Sequence, residues 1–109
     1  MTPPADVNAT AQIDSSRDSK KIRVLVADDH LPILVRVAAL LSEDFTVVAA
    51  VNAGDAAVGA ARQLRPDVLV LDISMPGLNG FEAASQVRDA GSTAVVIFLS
   101  VHDEPEFLE

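Results

Sequence analysis

The chain reads as an α/β domain built on an open, doubly wound parallel sheet. Apolar runs rich in Val, Ile and Leu recur over residues 22–27, 45–51, 68–71 and 94–99. Stretches with apolar residues at helical spacing lie between them. Strands this uniformly apolar are buried on both faces, as in a parallel sheet covered by crossover helices. Three runs also end on an acidic or hydroxyl residue: the first meets Asp28 and Asp29, the third Asp72, the fourth Ser100. In an open parallel sheet ligands sit outside the carboxyl ends of the strands. The pattern therefore predicts three carboxylates and a hydroxyl around one point.

Each element has a local reason. Residues 1–21 carry Thr2, Pro3, Pro4, Asp6, Asn8 and several serines with almost no apolar anchor. Such a segment cannot offset its ordering entropy by burial, so it is predicted to be a disordered tail ahead of a folded domain over 22–109. The first strand spans 22–27. Pro32 suits the first turn of a helix, where its missing N–H does no harm. That helix runs to about Leu41 and carries Ile33, Leu34, Val37, Leu40 and Leu41 at helical spacing. A second strand spans 45–51. Asn52, Gly54 and Asp55 supply turn and N-cap chemistry. Ala57, Ala61 and Leu64 mark the inner face of the second helix, which Gly59 weakens by about 1 kcal/mol relative to Ala. Pro66 stops it, and the third strand follows over 68–72. The Pro and Gly content of 74–80 predicts a loop. Phe81, Ala84 and Val87 mark the third helix, with Gly91 just past its end. The fourth strand spans 94–100. Asp103 and Pro105 are cap and first-turn residues of a fourth helix over 103–109.

Composition narrows the class. At 109 residues this is at most one small domain, and half its residues are apolar while aromatics are only 4%. The core must be built from aliphatic side chains. Eight Lys and Arg stand against 16 Asp and Glu, a formal charge of -8. That balance argues against direct nucleic-acid binding and against docking on anionic lipid, both of which need clustered cations. With no cysteine, disulfides and thiolate metal sites are excluded. The apolar runs are far short of a bilayer span and the N-terminus carries no signal-peptide segment, so a cytoplasmic location is expected.

Asp28, Asp29 and Asp72 would repel one another in one cleft, and a divalent cation relieves that repulsion. Mg²⁺ takes oxygen ligands in octahedral geometry and keeps several waters, so two or three carboxylates are the expected protein share. Ser74, two residues past Asp72, could add its backbone carbonyl as a metal ligand. Ser100 could hydrogen-bond a phosphoryl oxygen. His30 and His102 read as solvent-facing residues. No Ser-His-Asp or HExxH arrangement and no GxxxxGK loop is present, so nucleotide binding has no support.

These motifs carry a resemblance. Residues 24–30 (Val-Leu-Val-Ala-Asp-Asp-His), 66–77 (Pro-Asp-Val-Leu-Val-Leu-Asp-Ile-Ser-Met-Pro-Gly) and 96–100 (Val-Ile-Phe-Leu-Ser) together resemble the receiver domain of two-component response regulators. The Ala-Asp-Asp-His and Asp-Ile-Ser-Met-Pro pieces look most like the NarL/FixJ type. The resemblance implies a flavodoxin-like sheet in the order 2-1-3-4. It implies that Asp72 is the phosphoacceptor, taking its phosphoryl group from a phosphohistidine on a sensor kinase. Asp29 would bind Mg²⁺ directly, Asp28 through water, and the Ser74 carbonyl would complete the protein ligands. Ser100 would be the switch hydroxyl, and the output transcription regulation through a helix-turn-helix domain. A homodimer is a further option. Such a domain is no enzyme in the usual sense, beyond catalysing its own phosphorylation and dephosphorylation.

The family also has a fifth strand ending in Lys, with an aromatic switch residue, and a fifth helix. By spacing these fall beyond Glu109, and no Lys follows Lys21. The expectation is a fragment lacking the fifth βα unit and the output domain, hence one of low stability. Two other classes stand beside this reading. An Asp-nucleophile phosphohydrolase would want an acid two residues after Asp72, where Ser74 stands. An interaction module that is never phosphorylated would differ in a phosphodonor assay.

Overall fold

Four parallel strands alternate with three helices through residues 21–99, the part of the chain described by this computed structural model. In chain order they are β1 (Arg23–Ala27), α1 (Leu31–Leu41), β2 (Thr46–Val51), α2 (Gly54–Leu64), β3 (Val68–Asp72), α3 (Gly80–Asp89) and β4 (Val95–Leu99). The sheet order is β2-β1-β3-β4, as expected, and every pairing is parallel. The expected tail up to residue 20 and the helix over 103–109 lie outside the described residues.

The two central strands, β1 and β3, explain the register. Val24 pairs with Val68 and Ala27 with Leu71, so both strands finish level. On one side of the sheet Leu25, Ala27, Leu69 and Leu71 pack against Ala57, Val58 and Ala61 of α2 and Ala83, Ala84 and Val87 of α3. On the other side Val24, Val26 and Val70 pack against Leu34 of α1. Alternation along a strand accounts for the division: neighbouring side chains point to opposite faces. Arg23 ties the lower end together. Its guanidinium donates to the carbonyls of Leu64 (2.6 Å) and Arg65 (2.9 Å), closing the end of α2, and its N–H donates to the Asp67 carboxylate at 2.9 Å.

Two glycines set how closely helices meet the loop between β3 and α3. A Cβ on Gly54 would land on the Leu78 carbonyl, and a Cβ on Gly80 on the Asp72 carbonyl. The first residue of each helix therefore sits directly on that loop's backbone.

Two apolar residues at helical spacing stay exposed, and one capping assignment is corrected. Leu40 is 60% exposed; at 100° per residue it lies about 120° around the helix from Leu34, off the buried stripe. Phe81 is 54% exposed and meets Phe98 at the sheet margin in a tilted ring contact, centroids 4.7 Å apart and planes at 55°. Asp55 is not the cap of α2. Ala53 holds that position without a side-chain bond, and the Asp55 carboxylate accepts the Ala56 N–H inside the first turn. Ile22 and Phe45 also stand just outside the strands predicted to include them.

Candidate functional site

The site forms where β1 and β3 end. Asp28 and Asp29 follow Ala27, and Asp72 closes β3 one strand away. One carboxylate oxygen from each of the three lies within 4.8 Å of the others. Asp28 is 1% exposed, whereas Asp29 is exposed and Asp72 half-buried.

Backbone hydrogen bonds hold the pieces in place. The Asp28 N–H donates to the Val51 carbonyl at 3.1 Å, extending the β1–β2 ladder by one residue. The Asp28 carboxylate accepts the His30 N–H at 2.8 Å, turning the chain into α1. Asp72 pairs with Leu99 across the sheet, and the Ile73 N–H donates to the Leu99 carbonyl at 3.2 Å. Ser74 donates its N–H to the Asp72 carboxylate at 3.3 Å. Met75, 5% exposed, is buried in the α2/α3 core and anchors the loop after Asp72. At the far end of that loop Asn79 accepts the Glu82 N–H at 2.8 Å while Glu82 accepts the Asn79 N–H at 2.9 Å, a reciprocal cap that starts α3.

Electrostatics concentrate on Asp72. Burial raises its carboxyl above the ordinary 3.8, and the charge of Asp28 pushes the same way, with Asp29 adding to it. The Ser74 N–H opposes them by stabilising the charged form. Three carboxylates grouped in this way offer the oxygen donors that a hard divalent cation takes, and such a cation would offset their mutual repulsion.

Of the sequence-predicted residues, Asp28, Asp29 and Asp72 are thus brought together. Ser74 adjoins them through its N–H. His30 is exposed at the entry of α1, its side chain making no cap bond, as predicted. Ser100 and His102 lie outside the described residues. Two supports went unremarked in the sequence: the Met75 anchor and the Asn79–Glu82 cap. The Asn-x-x-Glu spacing was the available signal for the cap.

The pattern for the response regulator receiver domain matches residues 24–109. The chain belongs to that family. Among curated receiver-containing proteins, PilH of Pseudomonas aeruginosa is 41% identical over 85 residues, 75% of this chain and 69% of PilH. NarL of Mycobacterium tuberculosis is 38% identical over 94 residues, 84% of this chain and 43% of NarL. The chain thus spans less than half the length of NarL, and 8% of the virulence sensor protein BvgS of Bordetella bronchiseptica, which it also matches. The solved receiver domain of M. tuberculosis NarL superposes with a TM-score of 0.66 at 38% identity, over 80% of this chain and 72% of that one. A chain of the CheX–CheY–BeF3–Mg²⁺ complex from Borrelia burgdorferi gives a TM-score of 0.69 at 25% identity, over 79% of this chain and 66% of that one. Among the described residues, no helix of this receiver domain is long and apolar enough to cross a membrane.

Proposed function

We propose that this receiver domain is a phosphorylation switch in which Asp72 accepts a phosphoryl group from the phosphohistidine of a sensor kinase. The observation that carries the reading is the convergence of Asp28, Asp29 and Asp72 at the ends of two adjacent central strands. A carboxylate oxygen of Asp72 attacks phosphorus, the bond from phosphorus to the donor imidazole breaks, and an acyl phosphate remains on Asp72. Proximity supplies much of the acceleration, because β3 and the loop gripped by Met75 hold the carboxylate still.

The donor set fits Mg²⁺: three oxygen ligands, one of them buried, with the remainder open to water. Asp29 and Asp72 would bind it, Asp28 would act through water, and the Ser74 carbonyl would complete the protein share. When bound, the ion neutralises charge on the transferring group. The Mg²⁺ named with CheY in the related B. burgdorferi complex supports this choice of metal. Ser100 follows the strand whose last residue pairs with Asp72 and is assigned the switch hydroxyl. The natural output is transcription regulation, the role named for relatives such as NarL, in the cytoplasm and with a homodimer as a further state.

Intact-mass analysis after treatment with acetyl phosphate and Mg²⁺ tests the assignment. One added phosphoryl group is expected, and none in Asp72→Asn. Equal labelling of both proteins would refute it. Mg²⁺ should also raise the melting temperature by mass action, and Asp29→Ala should remove that rise.

A further inference from the structure

At the end of the sheet opposite the carboxylates, a cavity of about 200 Å³ opens between the C-terminal turns of α2 and α3. Ala61 and Val87, each 3% exposed, line its apolar part, and Ala90 extends it. Arg62 and Arg65 border it from α2, and Ser92 from the turn after α3. No carboxylate lines it.

Among the described residues neither arginine's guanidinium makes an ion pair or hydrogen bond, although acids outnumber bases two to one in the chain. Arg62 lies in the last turn of α2, where its charge offsets the helix's negative end without a hydrogen bond, and Arg23 holds the carbonyls of Leu64 and Arg65. Arg65 also holds a left-handed backbone, φ 49°, where glycine is the usual residue. A side chain persists there despite a conformational cost on the order of 1 kcal/mol. Ser92 accepts the Ala94 N–H at 3.0 Å, which leaves its own hydroxyl proton free to donate. The polar side chains of the lining are therefore all donors, two of them cationic and planar, beside a small apolar floor. Guanidinium pairs of this kind recognise the oxygens of carboxylate and phosphoryl groups.

We propose that this cavity is a binding site for a small organic oxyanion, a phosphoryl or carboxylate group carried on a compact apolar body. Arg62, Arg65 and Ser92 hold the oxygens, and Ala61, Val87 and Ala90 receive the body. The site shares no residue with the carboxylate cluster and does not rest on the phosphoacceptor reading.

The test is a titration of the full 109-residue chain, ¹⁵N-labelled, with phenylphosphonate and, separately, benzoate. Mg²⁺ is left out, so that no anion collects at the carboxylates, and salt is held at ~0.15 M to screen diffuse attraction. Saturable amide shifts are expected at Ala61, Arg62, Arg65, Val87, Ala90 and Ser92 with at least one probe. Benzyl alcohol, which has the ring without the charge, should give none. Inorganic phosphate, the charge without the ring, should bind more weakly than phenylphosphonate if the latter is the binder. The Arg62→Gln, Arg65→Gly double variant should keep its circular dichroism, since both positions are exposed and glycine suits residue 65. Its affinity should fall about tenfold or more, the loss expected for two charge-assisted contacts. Absence of saturable shifts with both anions, equal binding of benzyl alcohol, inorganic phosphate matching phenylphosphonate, or unchanged affinity in the double variant would each overturn the proposal.

Discussion

The two faces of the sheet are built differently. Beneath α2 and α3, eleven buried residues form one cluster, and four of its helix contributions are alanines, Ala57, Ala61, Ala83 and Ala84. Small side chains let both helices sit close to the strands, so Leu25, Leu69 and Leu71 are sealed. Beneath α1, among the described residues, the buried cluster is Val24, Val26, Leu34 and Val70, ringed by half-buried residues such as Val37, Leu41 and Val47. By strand alternation Val95 and Ile97 of β4 belong to this second face, and they are 60% and 48% exposed. Two closely packed helices cover the central strands on one face, while Phe98 at its β4 margin keeps 37% of its surface exposed. Among the described residues one helix, packed through larger side chains, covers the central part of the other.

That contrast can be broken first where the packing is tightest. Leu25→Ala should cost about 2–5 kcal/mol in urea unfolding, since the deleted side chain leaves a cavity between close-packed elements. Ile97→Ala, on the open part of the other face, should stay within about 1 kcal/mol. If the two losses are equal, the faces do not differ in closure as described. An intermediate effect is expected at the carboxylates, which stand at the boundary between the faces. Burial and the charges of Asp28 and Asp29 make the folded Asp72 hold its proton more tightly than the unfolded chain does. Protonation thus favours the fold, and this contribution fades as pH rises through the ordinary value of 3.8 and then the raised folded one. Without metal, Asp72→Asn should therefore melt higher than wild type at neutral pH, with the difference shrinking toward low pH. A variant melting lower at neutral pH would contradict the stated repulsion. The smallest effect sharpens the two-helix face: Asn79→Ala should cost about 1 kcal/mol by removing the reciprocal cap of α3. Glu82→Gln, which can still reach back to the Asn79 N–H, should cost less.

The same contrast explains what was legible in the sequence. Strands β1 and β3 are covered on both faces, so their uniform apolar runs announced them, and their final residues announced the site. The sheet order and residue roles came through resemblance, because local chemistry does not say which strand lies beside which. Helical period did not settle which residues are covered. Leu40 and Phe81 fit a helical period yet face outward, because periodicity alone does not say how wide the covered stripe is. The cap of α2 was misassigned because Gly54 opens the helix against the Leu78 backbone, a contact no local pattern reveals. Met75 looked like turn filler, since its burial depends on α2 and α3 meeting above it.

The seating of Gly54 and Gly80 against the loop has an evolutionary meaning. Every single-base change in a glycine codon that replaces glycine by another amino acid adds at least a Cβ, and at both positions that atom would meet backbone. In a saturation library selected for signalling, residues 54 and 80 should be among the most depleted, Ala included. Gly59, whose Cβ would enter open space on the same helix as Gly54, should accept nearly every replacement short of Pro. One residue type thus marks both an immovable hinge point of the lineage and a site free to drift.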